Sequence, residues 1–439
     1  MDDLRKRNWT RTGLVALSAL LASMILLNFA RSEELERART RINAVYEKAF
    51  YETCELTEAI STHYRKLLVA GDEMQMQVLL GEISRETQGA AGNLALLPLG
   101  EETISATIKF INQAEDFAET LSQKLAGGET VSEGDYAAME SLSESAANFS
   151  VGLTRLLERY ERGEAVFQAQ DYEETGAESL YPLTGEAGEY PVLLYDGPFS
   201  DGATVGDFEL LRREAQIDRA EAEDRLRAFI PVDELRYTGE SHPEVDCYEF
   251  RVRSGDYTLS AGVTKQGGEI LYLLPETSET QVNYSEAQLC DIARAFLISR
   301  GYGAMEMSYY SRYDGILTIN YAATQDGVTL YPDLVKIQLS MKDGRVIGLD
   351  AKSYLKNHRQ RVLPRSAFTP EEAIARISPR LTANSARLCV IPQNRSEYLC
   401  YEISASDSSG EFLVYVDAQT GVERELMQVL SRDNGTLVM

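Results

Sequence analysis

Apolar positions recur at spacings of three and four along the first part of the chain. Leu35, Ala38, Ile42, Val45 and Ala49 form one stripe, and Leu56, Ile60 and Leu67 continue it after a shift of register. A stripe of this period marks one buried face of a helix. Similar patterns run from Met74 to Leu97, from Glu101 to Leu125 and from Ser132 to about Gln168, punctuated by Gly71-Asp72, Pro98-Leu99-Gly100 and Gly127-Gly128. Four helices with short connections predict an antiparallel helical bundle over residues 31–170. Upstream, Gly13–Ala30 carries no charge over 18 residues, with Arg5, Lys6, Arg7, Arg11 and Trp9 before it. That pattern reads as a transmembrane anchor. Asn28 and Leu20 occupy the −3 positions of the candidate cleavage sites, so the segment reads as uncleaved. Residues 1–12 are then a cytoplasmic tail and the rest is extracytoplasmic, although Arg31, Arg37, Arg39 and Arg41 weaken the charge asymmetry.

From residue 207 the period changes from helical to alternating. Three units follow, over residues 207–276, 283–356 and 367–430. In the second, Ser285-Glu-Ala-Gln288 forms a capping box before Ile292, Ala293, Phe296 and Leu297. Leu317, Ile319 and Tyr321 then alternate, as do Val335, Ile337, Leu339 and Met341, with a turn at Asp343-Gly344 before Val346-Ile347. The third begins at Thr369-Pro370-Glu371-Glu372, a capping box with proline at the first helical position. Its strands run through Leu388 and Val390, Leu399 to Ile403, and Phe412 to Val416, before Thr420-Gly421. The first has a helix from about Phe208 to Phe229, strands around Tyr248–Val252 and Leu259–Val263, and a turn at Gly267-Gly268. The turn glycines Gly268, Gly344 and Gly421 lie 76 and 77 residues apart. The fold class is therefore α+β: a transmembrane helix, a helical bundle, then three small helix-on-antiparallel-sheet units. Residues 171–206, with Pro182, Pro191 and Pro198 among several tyrosines, read as an extended connector.

Charge narrows the partners. A formal net charge of −26 argues against nucleic acid, which needs a basic footprint. The five cysteines are too few and too scattered for a disulfide scaffold. If Asn394-Arg395 is a hairpin tip, residues whose numbers sum to 789 face each other, which sets Cys389 opposite Cys400 and Val390 opposite Leu399. A cross-strand disulfide and two free thiols on a solvated face both fit that register. No catalytic motif is present: there is no His-Glu-x-x-His, no Gly-x-Ser-x-Gly and no phosphate loop. His63, His242 and His358 fall in different segments, and His63 reads as a packed residue beside the apolar stripe. No metal or cofactor site is expected.

The repeat unit resembles the PepSY domain. The connector stretch Tyr190-Pro-Val-Leu-Leu-Tyr195-Asp196-Gly197-Pro198-Phe199-Ser200-Asp201 resembles the signature segment of the YpeB family of spore germination proteins, and Tyr331-Pro332-Asp333-Leu334-Val335 also resembles that family. The resemblance covers the whole order of segments. One departure is that the family typically has a histidine soon after Phe-Ser, whereas Gly202 follows Asp201 here. A metal or acid–base role at that position does not transfer. The resemblance implies a non-enzymatic protein at the inner spore membrane, facing the cortex, that stabilises, localises or restrains a cortex-lytic hydrolase similar to SleB. A PepSY-type inhibitor of a protease or other hydrolase, and a membrane-tethered ligand-sensing ectodomain, are the alternatives. Tyr195, Asp196, Gly197, Pro198, Phe199 and Ser200 are the candidate site, either as a turn that packs on the repeats or as a partner anchor.

Overall fold

The computed structural model describes Leu35, Arg37, residues 40–97 and 101–162, Phe199 and, apart from short breaks, residues 207–438. The chain divides into two compact units, Met1–Tyr64 with Leu80–Ala187, and Arg65–Leu79 with Gly188–Met439.

The helical region contains α1 (residues 40–69), α2 (Glu73–Leu94), α3 (Glu101–Ala126) and α4 (Glu133–Glu161). The start of α4 follows from a local exchange. Ser132 N–H donates to Asp135 Oδ2 at 2.7 Å, while Asp135 N–H reaches back to Ser132 Oγ at 3.3 Å. Within the first unit Phe50, Ile60, Tyr64, Leu80, Ile83, Leu94, Ile111, Ala118 and Leu153 are buried. Tyr64 donates its hydroxyl hydrogen to the carbonyl of Ala114 at 2.7 Å, which lets a phenol sit in that core. The predicted stripe needs one correction: Leu35, Ile42 and Val45 are 64%, 46% and 51% exposed, and burial begins only at Ala49. His63 is half-buried and its Nδ1 lies 2.9 Å from Glu86 Oε2, so it belongs to a polar pair.

Each C-terminal unit is a helix followed by a four-stranded antiparallel meander. The first has α5 (Arg219–Phe229), β1 (Glu234–Ser241), β2 (Cys247–Ser254), β3 (Tyr257–Thr264) and β4 (Ile270–Pro275). The second has α6 (Glu286–Ser299), β5 (Met305–Tyr313), β6 (Ile316–Gln325), β7 (Val328–Ser340) and β8 (Val346–Asp350), then α7 (Lys352–Asn357). The third has α8 (Pro370–Ile374), β9 (Thr382–Gln393), β10 (Ser396–Asp407), β11 (Gly410–Asp417) and β12 (Glu423–Arg432), and the chain adds β13 (Gly435–Val438). The helix expected from Phe208 is shorter than its pattern: Asp218 caps it by accepting from Glu221 N–H at 2.9 Å, so α5 starts at Arg219. In α6, Leu289, Ala293 and Leu297 are buried, while Ile292 and Phe296 pack at the edge of the core. The turn glycine of the second unit has a packing role. Gly344 has φ of 74°, and a Cβ there would lie 3.2 Å from the Ile292 side chain of the unit's own helix.

The expectation of a transmembrane helix followed by three separate small sheets is corrected in two respects. Among the described residues no helix is long and apolar enough to cross a membrane, and Gly13–Ala30 lies outside them. The three meanders are also fused. β4 pairs with β8 through Tyr272↔Asp350 and Leu273↔Leu349, so the first two units share one sheet and one core. β7 pairs in parallel with β9, and β13 lies between β12 and β5. β7, β6, β5, β13, β12, β11, β10 and β9 therefore close on themselves as a ring of eight strands.

Thr369 and Glu372 form the capping box read from the sequence, with Thr369 N–H donating to Glu372 Oε2 at 2.8 Å and Glu372 N–H to Thr369 Oγ1 at 3.2 Å. Thr369→Ala is expected to lower stability by about 1 kcal/mol, read from the urea midpoint of the full chain. Thr369→Ser should restore most of it.

Candidate interaction site in the strand ring

The site begins at an irregularity in β7. The ladder with β6 passes from Ala323↔Leu330 to Ala322↔Leu334, so residues 331–333 are extra on the β7 side. Pro332 explains the break, because it has no N–H to give to the ladder. The bulge turns Tyr331 and Asp333 into two buried clusters.

Tyr331 enters the core of the ring, with Tyr309, Ala322, Leu334, Cys389, Ile391, Cys400, Tyr415 and Met427. Phe199, from the signature segment, packs against the same cluster. Its ring centroid lies 5.2 Å from that of Tyr331 and 5.1 Å from that of Tyr415, the latter edge-on at 76°. Phe199 has φ of 60°, a left-handed backbone that a non-glycine residue adopts at a cost. Seating the aromatic ring offsets that cost. The Tyr331 hydroxyl donates to Glu402, which also accepts from Arg387 Nε at 2.8 Å. Arg387 also pairs with Glu306, and Glu306 accepts from Thr329 Oγ1 at 2.8 Å. Burial pushes the Tyr331 phenol well above its ordinary range, and the nearby Glu402 carboxylate adds to the shift.

Asp333 is fully buried and holds the segment that leads into the third unit. Arg361 clasps it with both amino groups, Nη1 to Oδ2 at 2.8 Å and Nη2 to Oδ1 at 2.7 Å. The same guanidinium reaches Glu397 on β10, Nε to Oε2 at 2.8 Å and Nη2 to Oε1 at 2.7 Å. His358 Nδ1 lies 2.8 Å from Asp333 Oδ2, and Asn357 Nδ2 donates to the Pro332 carbonyl at 2.9 Å. Burial alone would pull the Arg361 pKa down; its hydrogen bonds to Glu397 and Asp333 outweigh that and hold it above the ordinary value.

The structure thus brings together three features read separately in the sequence: Phe199, the Tyr331-Pro332-Asp333 segment and the pair Cys389 and Cys400. Tyr195, Asp196, Gly197, Pro198 and Ser200 lie outside the described residues. The register of the cysteine hairpin is the one deduced from its tip, with Cys389↔Cys400, Val390↔Leu399 and Leu388↔Tyr401. Its cysteine face is not solvated, however: ring closure covers it and both thiols are buried. The same register also pairs Arg387 with Glu402, whose numbers likewise sum to 789. Tyr415, Arg361 and Glu397 left no local signal. Chemically the arrangement is a set of satisfied ion pairs and packed rings, suited to holding elements in register. Phe199→Ala is expected to lower the stability of this unit by about 1–2 kcal/mol through the lost ring contacts, with Phe199→Leu closer to wild type in the same urea titration.

Comparison with known proteins identifies relatives of the chain. Residues 34–169 match a family model described as YpeB N-terminal, and residues 177–364 match one described as YpeB sporulation, PepSY1 and PepSY2 domains. The chain is similar to the sporulation protein YpeB of Halalkalibacterium halodurans, at 22% identity over 94% of this chain and 96% of the relative. It is likewise similar to that of Bacillus subtilis, at 22% identity over 87% of this chain and 89% of the relative. A solved structure of the Bacillus megaterium YpeB C-terminal domain aligns with a TM-score of 0.46 and 23% identity, covering 49% of this chain and 99% of that one.

Proposed function

Since the chain belongs to the YpeB sporulation family, we propose that it acts in spore germination as a non-catalytic accessory protein that keeps a cortex-lytic hydrolase, similar to SleB, in place in the dormant spore. The observation that carries this reading is the extent of the family match, which runs through the helical region and on through the first two repeats. The site adds physical support. Its charged groups are paired with one another, and the Tyr331 hydroxyl is hydrogen-bonded to Glu402, so these groups are committed to holding strands together. A catalyst instead needs a group kept ready for a substrate. The proposed place of action is the cortex-facing side of the inner spore membrane, where such a hydrolase would meet its substrate.

The test is the level of the hydrolase in spores that lack this protein, with reciprocal capture by the full chain from spore extract. Loss of the enzyme from those spores, together with its recovery on the full chain, is the expected result. An unchanged enzyme level in spores lacking the protein would overturn the proposal.

A further inference from the structure

Cys389 on β9 and Cys400 on β10 are direct partners in the antiparallel ladder, and both side chains are buried in the ring core as free thiols. Opposite Cα atoms in such a ladder stand about 4.5–5.5 Å apart, within the roughly 4.4–6.8 Å that a disulfide spans. A bridge here needs no change of register. The remaining cysteines are differently placed: Cys54 lies in α1, Cys290 in α6, and Cys247 on β2 faces Ser241 and Thr264. We propose that this pair is a modification site at which a thiol–disulfide oxidoreductase, or a small-molecule disulfide, installs a Cys389–Cys400 bridge before the ring core packs.

The exchange balances in two steps. One cysteine thiolate attacks the acceptor disulfide, forms a mixed disulfide and expels one acceptor thiolate. The second cysteine then attacks the chain's own sulfur in that mixed disulfide and expels the other. The two cysteines together lose two protons and two electrons, and the acceptor disulfide is reduced to two thiols.

The order of events follows from the packing. Tyr331 and Tyr415 belong to the same buried cluster as the pair, and Phe199 packs against that cluster. Burial pushes the Cys400 thiol up to about 12, with Asp417 adding to the shift, and holds Cys389 well above its ordinary value, with Glu402 adding to it. A closed core thus keeps both sulfurs as thiols, which are poor nucleophiles. The hairpin alone already sets the two sulfurs opposite each other, so bridging needs β9 and β10 paired and the surrounding core still open.

The full chain would be unfolded with reductant and refolded with or without oxidised glutathione. It would then be alkylated in denaturant, weighed and mapped. Five free cysteines give five labels in the reduced protein. The oxidised sample is expected to carry three, with Cys389 and Cys400 joined in one cross-linked peptide. Cys389→Ala and Cys400→Ala should each abolish that peptide. Protein folded first under reducing conditions and then given oxidised glutathione should keep five labels over the same period. Five labels in the refolded oxidised sample, or a bridge to any other cysteine, overturns the site. Bridging of the prefolded protein at the same rate overturns the order of events.

Discussion

Asp333→Ala is expected to destabilise the folded chain by about 3–5 kcal/mol, and Arg361→Met by a comparable amount. The reason is the position of the pair. Asp333 is fully buried and Arg361 nearly so, with four charge-assisted hydrogen bonds from the one guanidinium to Asp333 and Glu397. Removing the aspartate leaves a buried guanidinium with Glu397 as its remaining carboxylate, beside longer contacts to the Asn357 and Arg359 carbonyls at 3.3 and 3.4 Å. Removing the arginine leaves two carboxylates, one fully buried, facing the space it occupied. Neither charge can recover its hydration without opening the junction between β7 and β10. The double variant Asp333→Ala/Arg361→Met is expected to be more stable than the sum of the singles implies, because the two uncompensated charges disappear together. Urea titrations of the four proteins measure the coupling. Additive losses would show that the two side chains are not held as a buried pair.

This junction also shows which parts of the fold are legible in the sequence. The turn glycines and the strands with strong alternation are local features and are found where the pattern places them, whereas the helix of the first unit is shorter than its pattern. β1 and β5 are harder to see. Residues 234–241 expose every second side chain without a strong apolar set, and Met305–Tyr313 is half-buried on both faces. Each becomes a strand because a neighbour supplies its ladder, β2 for β1 and β6 for β5. The fusion of the repeats is harder still. The pairing of β7 with β9 rests on Thr329↔Cys389 and Leu330↔Val390, residues 60 apart in the chain, and nothing in either strand announces its partner. Once that seam closes, a hairpin face that looks amphipathic and solvated becomes a core, which is why the cysteine register was readable and the cysteine environment was not. The same holds for Phe199. Its segment stands out by its residues, yet the tyrosines that receive it come from β7 and β11.

Stability is expected to fall as pH rises from about 5 to 9 through one carboxyl group, Glu423 at the start of β12. Its side chain is buried, with the residue only 6% exposed. Oε2 accepts a single hydrogen bond, from the Gly71 backbone N–H at 3.2 Å, and no donor reaches Oε1 among the described residues. The approach is tight, since a Cβ on Gly71 would lie 2.7 Å from Ser378 N. Burial pushes the carboxyl up to about 8 from its ordinary 4.5; Asp72 and Glu425 push the same way, and only the Gly71 hydrogen bond opposes them. The folded state therefore binds more protons than the unfolded chain between those two values. The stability this supplies is fully present below about 4.5 and is lost as pH rises through 8. Once the group is forced to ionise in place, the loss is on the order of 3–5 kcal/mol. Glu423→Gln keeps the shape and removes the charge. Its stability should match wild type at pH 5 within about 1 kcal/mol and exceed it clearly at pH 9. Groups away from this carboxyl, such as the half-buried Glu269 that burial also raises, titrate alike in both proteins, so the difference between the two urea midpoints across pH reports Glu423 together with its coupling to Asp72 and Glu425. Parallel curves from pH 5 to 9 would mean that the carboxylate is hydrated in the folded protein and that the turn at Gly71 does not seal it.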